Sequence, residues 1–126
     1  MVETDVGIES VSDHLIGQFI DTMAIGTGST AATATDTSLE NEVFRASTGD
    51  APLNWIDDPD VAGRYEAKLN VVGGDEIPAG TQIVEAALII DGSTGGGTLY
   101  ARDTFGIKEA TAGEGITSTM PILGPV

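Results

Sequence analysis

From residue 61 to residue 72 the chain alternates. Val61, Gly63, Tyr65, Ala67, Leu69 and Val71 fall on one side, and Ala62, Arg64, Glu66, Lys68, Asn70 and Val72 on the other. A period of two predicts a strand with one face on a core and the other facing solvent or a subunit. Residues 82–91 are apolar apart from Gln82, Glu85 and Asp91, which predicts a strand covered on both faces. Leu99, Ala101, Phe105 and Ile107 alternate within 98–107, and the glycine-rich run Gly92 to Gly97 reads as the hairpin loop joining these two strands. Ile116 to Ile122 forms a last strand, where Pro121 requires an edge position or a bulge.

The first third of the chain is more mixed. Residues 1–9 are polar and acidic and read as an N-terminal arm, flexible or ordered against a neighbour; residues 10–126 read as a single domain. Val11, Leu15, Ile16, Phe19 and Ile20 trace one face of a short helix over 10–20, with Ser12 and Asp13 as caps; Gly17 leaves a strand open there. Thr22 to Gly26 predicts a short buried strand, and small residues then run from Thr27 to Thr37 as a loop. Leu39 to Ser47 alternates again. Residues 48–60, with Gly49, Pro52, Pro59 and several Asp, predict a long loop. Six or so strands with turns at this spacing make the fold mainly all-β, an antiparallel β-sandwich with a short N-terminal helix.

Composition changes the picture in one respect. The 126 residues carry 20 Asp and Glu against 5 Lys and Arg, a net charge of -15, yet 40% are hydrophobic. That apolar content is too high for a disordered acidic tail. A folded domain this acidic repels itself in ordinary buffer, and it suits a medium of molar salt, where the Debye length falls to roughly 3 Å. The expected source is a salt-loving organism or its virus. The same charge disfavours nucleic-acid backbones and anionic membrane surfaces as partners. The longest apolar run, Ala86 to Ile90, is too short to span a bilayer, and the acidic N-terminus lacks the basic region of a signal peptide. With no cysteine, disulfides and thiolate metal sites are excluded.

The order of features resembles a known group. Ala24-Ile25-Gly26-Thr27-Gly28 leads into the small-residue run Thr30 to Leu39 and then Asn41-Glu42-Val43-Phe44-Arg45. Later come Ile83-Val84-Glu85-Ala86-Ala87-Leu88-Ile89 and Thr98-Leu99-Tyr100-Ala101-Arg102-Asp103-Thr104-Phe105. The series, over roughly residues 14–108, is similar to small virion structural proteins of tailed phages, in which a "GTG…T…L…E…R" block precedes an "E.G.F" and a "G.L.AR..F" strand. Ala87-Leu88 departs from it, since the family places a glycine before the apolar residue. The chain also ends soon after its last strand where fibre proteins continue, which favours a small subunit over a fibre fragment. With the acidity, the resemblance implies a virus of a halophilic archaeon.

Several constellations compete with plainer readings. Gly26-Thr27-Gly28 looks like a phosphate loop but lacks the following helix and lysine. Asp57, Asp58 and Asp60 could offer oxygens to a Mg or Ca ion, although their spacing lacks the distal glutamate of a calcium loop and favours a solvated acidic loop. Glu85 and Arg102, on hairpin partners, form a candidate structural ion pair, as do Glu42 and Arg45. His14, the lone histidine, reads as a packed or capping residue. Pro52, Leu53, Trp55 and Ile56 form an apolar group that is either tucked onto the core or offered as an interface.

No nucleophile–base pair or metal triad assembles from this inventory, so no enzyme activity and no organic cofactor are expected. The expected function is that of a virion structural protein, a capsid-surface decoration or turret subunit that forms a homo-oligomer and contacts a major capsid or tail protein. The alternatives are a tail, baseplate or fibre component contacting the host surface, and a small carbohydrate- or cation-binding module, the latter disfavoured by one Trp, two Tyr and three Phe.

Overall fold

The computed structural model describes residues 2–4, 20–57, 64–94 and 96–123. They form eight strands in two antiparallel sheets. β1 (Val2–Glu3), β2 (Ile20–Gly26), β3 (Glu42–Ser47), β6 (Gln82–Ile90) and β7 (Thr98–Glu109) make a five-stranded sheet in the order β1-β7-β6-β2-β3. β4 (Leu53–Asp57), β5 (Arg64–Val72) and β8 (Gly115–Leu123) make a three-stranded sheet in the order β4-β5-β8.

Over Arg64–Val72 the alternation read from residues 61–72 is that of β5; residues 61–63 lie outside the described residues. Ala67, Leu69 and Val71 are buried, while Asn70 is exposed. They join Met23, Ile25, Leu88, Leu53 and Met120 in one apolar cluster drawn from both sheets. Each fully buried side chain of this kind stabilises by about 1.5–3 kcal/mol. β6 is central and covered on both sides, as its composition requires: Ala86, Leu88 and Ile90 face the shared core, whereas Ala87 and Ile89 pack with Ala24, Leu99 and Leu39 in a second cluster on the outer face. Pro121 sits in β8, an edge strand, where its missing N–H is tolerated.

Three expectations change. The 48–60 segment is not a continuous loop, because Leu53–Asp57 is strand β4, paired with β5 from Leu53↔Leu69 to Asp57↔Tyr65. Its period is two: Leu53 and Trp55 turn to the core while Asn54 and Ile56 turn out. The flanking prolines and acids obscured that short alternation. Ile20, assigned above to a helix, opens β2 and pairs with Ile90 on β6; pairing with the most buried strand outweighs the local helical stripe. The rest of the expected helix lies outside the described residues. In the N-terminal arm, Val2 and Glu3 add to this chain's own sheet on β7, and Thr4 is buried, its hydroxyl bonded to the Leu99 carbonyl.

Candidate functional site

The chemistry of the chain concentrates on the outer face of β6 and β7. Two β-bulges put it there. One lies between Ile83 and Glu85 and the other between Leu88 and Ile89. They set Ala87 opposite Arg102 and Glu85 opposite Thr104, so Glu85 and Arg102 are diagonal neighbours on one face. Without the first bulge, Ile83 and Glu85 would share a face; with it, Ile83 enters the core and Glu85 points outward beneath the Thr27–Asn41 connection.

Glu85 is fully buried, and both carboxylate oxygens are occupied. Oε1 accepts from the backbone N–H of Gly28 at 3.1 Å and of Asn41 at 2.8 Å. Oε2 accepts from the Glu40 N–H at 3.0 Å and from Arg102 Nε at 2.9 Å, with Arg102 Nη2 also at 2.9 Å. Arg102 is nearly as buried and spends its remaining donors on the same loop: Nη1 reaches Asp36 Oδ2 at 3.0 Å and Nη2 the Thr30 carbonyl at 2.9 Å. A buried charge pair is tolerable only when its remaining lone pairs and protons are satisfied. Here three backbone amides, one carbonyl and a second carboxylate do so.

This arrangement explains the Gly26-Thr27-Gly28 motif. A Cβ on Gly28 would lie 2.8 Å from Glu85 Oε1 and collide with the Glu40 side chain. A Cβ on Gly26 would collide with Glu85 Oε1 and the Asn41 carbonyl. The glycines let backbone approach a carboxylate, as they do in a phosphate loop, but the anion is the protein's own Glu85.

The local electrostatics favour the charged forms. Burial works against the Arg102 charge, yet the hydrogen bonds to Glu85 and Asp36 hold its basicity above the ordinary guanidinium value. Asp36 is held below the usual carboxylate range, first by the Thr33 N–H, then by the Thr33 hydroxyl and Arg102. Glu40, on the rim, is lowered by the Thr30 hydroxyl and N–H.

The other expected residues fall in different places. Arg45 grips Glu42 through Nε and Nη2, both at 2.7 Å, and donates from Nη1 to the Gly92 and Gly96 carbonyls at 2.9 Å each. That pair ties the β6–β7 turn to β3. Leu53 is core, not surface. Trp55 is half-buried against the core, its Nε1 donating to Thr48 Oγ1 at 3.0 Å, and Pro52 is half-buried beside it. Of the four residues expected at an interface, Ile56 alone is exposed, at 41%. Asp58, Asp60 and His14 lie outside the described residues, and of Asp57 only the backbone is described, as the end of β4. Among the described residues no cluster of His, Cys, Asp or Glu could hold a metal ion, and no helix is long and apolar enough to cross a membrane.

The sequence reading missed the part played by the loop. Glu85 and Arg102 were legible as opposite charges on apolar hairpin strands, but Gly28, Thr30, Asp36, Glu40 and Asn41 were not. Their signal was the pairing of two close glycines with a lone carboxylate in an apolar strand. The arrangement binds no external group with the atoms it has already committed; it is a clamp that fixes a surface loop. No protein-family model matches the chain, and no curated protein matches it in sequence.

Proposed function

We propose that this chain is a non-enzymatic structural protein of a virion, made for a tailed virus of a salt-loving host. In this reading its two sheets stack as a β-sandwich, and it serves on the head surface as a decoration or turret subunit that acts by oligomeric assembly. The observation that carries the reading is the net charge of -15 on a chain with a well-formed apolar core. Such a surface repels copies of itself at low ionic strength and permits association once molar salt shortens the Debye length to about 3 Å.

Two features of the fold support it. The clamp holds Thr27–Asn41 as a fixed outer surface, which suits a mechanical role. Among the described residues β4 is an edge strand that turns Ile56 outward, exposed, and a strand edge with an apolar side chain is a ready place for a neighbour. The order of sequence features shared with small virion proteins supplies the assignment to a particle, with further copies and a major capsid or tail protein as partners.

Light scattering in molar KCl and at low salt tests the proposal. A discrete oligomer in molar KCl that dissociates at low salt is expected, and Ile56→Asp should give a monomer with an unchanged circular dichroism spectrum. A monomer at every salt concentration would overturn it.

A further inference from the structure

The outward face of the three-stranded sheet departs from the acidity of the whole chain. Ala67, Leu69 and Val71 of β5 turn into the core, so Glu66, Lys68 and Asn70 turn outward. β4 and β8 supply neighbours at the same levels: Asn54 and Thr119 flank Lys68, and Ile56 stands beside Glu66. Asn54, Asn70 and Thr119 are exposed, as is Ile56. Among the described side chains of this face there is one acid and one cation. A chain of net charge -15 therefore presents here a face whose described charges cancel, with an apolar side chain on it.

The two charges on the face are also unspent. Arg45 and Arg102 are committed to ion pairs, and Lys108 lies over the Phe105 ring, 5.6 Å from its centroid. Lys68 has no ion pair or hydrogen bond from its side chain among the described residues, and neither has Glu66. Opposite charges two residues apart on the central strand of a face, each without a partner in its own chain, make a self-complementary pattern.

We propose that a second copy of this chain docks on this face about a two-fold axis that crosses β5 at Ala67, in the plane of the interface and perpendicular to the strand. That operator lays β5 of one copy antiparallel over β5 of the other, so Lys68 of each faces Glu66 of its mate, and one contact generates two ion pairs. A two-fold parallel to β5 would instead stack Glu66 on Glu66 and Lys68 on Lys68, and like charges brought together select against it. The favoured axis also lays Ile56 of each copy over Asn54 of the other, beside the aliphatic stem of Lys68, and so removes its apolar surface from water. The inference rests on the proposed assembly of copies and gives it a face and a symmetry.

Sedimentation equilibrium of the full chain tests it, at the KCl concentration where the wild-type chain is half associated. Lys68→Glu and Glu66→Lys should each weaken self-association about tenfold, because each sets like charges face to face. Glu66→Lys is the sharper of the two. It makes the chain two charges less negative, so relief of general repulsion would strengthen association where the docking weakens it. An equimolar mixture of the two variants should associate about as strongly as wild type, since one copy then offers two acids and the other two cations; that recovery also shows both variants to be folded. Single variants that associate as strongly as wild type, or a mixture no stronger than its components, would overturn this face and leave the assembly standing. A wild-type chain that is monomeric from low salt to molar KCl would overturn both.

Discussion

Arg102 and Asp103 are adjacent on β7 and point to opposite faces of one sheet, and the two faces treat their buried polar groups differently. On the outer face, Arg102 and Glu85 are buried together, and their charged atoms are bonded to the backbone and side chains of Thr27–Asn41. On the inner face, Ser118 Oγ borders a pocket and has no partner among the described residues. Saturation separates the two. A network whose donors and acceptors are all matched is a brace, because it has nothing left to offer a ligand. A place with an unmatched donor can still take one.

Breaking the brace should have the largest effect. Arg102→Met leaves a buried carboxylate without its cation and is expected to cost about 3–5 kcal/mol in chemical denaturation. Glu85→Ala strands the Arg102 guanidinium and three loop amides and should cost a similar amount. The double variant should cost clearly less than the sum, since the residues share one network. Additive losses would mean that the pair is not coupled.

Gly28→Ala is next. Its Cβ would press on Glu85 Oε1 and the Glu40 side chain, and the overpacking should cost about 1–3 kcal/mol. Ser118→Ala sharpens the comparison from the other face. Removing a buried hydroxyl that has no partner should leave stability unchanged or raise it by about 1 kcal/mol, where the loss of any satisfied buried polar group would lower it.

The smallest effect belongs to the rim. Asp36 is part-exposed, so Asp36→Asn should cost about 0.5–1 kcal/mol. Because Asp36 and Glu40 are both held below their ordinary carboxylate values of 3.8 and 4.5, the stability they contribute is complete above pH 4.5 and is lost as pH falls through their lowered values. Protease susceptibility of the loop, measured as pH falls from neutral into that range, should rise below pH 4.5 and not above it. Asp36→Asn should flatten part of that rise.

Much of this was legible in the sequence. β5, β6, β7 and β8 declared themselves because their periods are strong and their turns are rich in glycine. β4 hid because five residues between prolines carry too short an alternation to stand against a loop composition. Ile20 was read into a helical stripe because only the pairing with Ile90, seventy residues away, shows it to be strand. At the site, Glu85 and Arg102 stood out as charges on neighbouring apolar strands, but the bulges that put them on one face leave no local mark. The loop's contribution is made by backbone N–H groups, which every residue but proline possesses, so side-chain identity could not reveal it. Ser118 was invisible for a related reason: an unpartnered hydroxyl is defined by what surrounds it.

Amide hydrogen exchange, read residue by residue, tests the clamp most directly. The account predicts that the N–H groups of Gly28, Glu40 and Asn41 exchange as slowly as those in the middle of β6, although they belong to an irregular surface connection, and that Arg102→Met releases all three together. Exchange of these amides in the wild-type chain at the rate of freely exposed loop amides would contradict it.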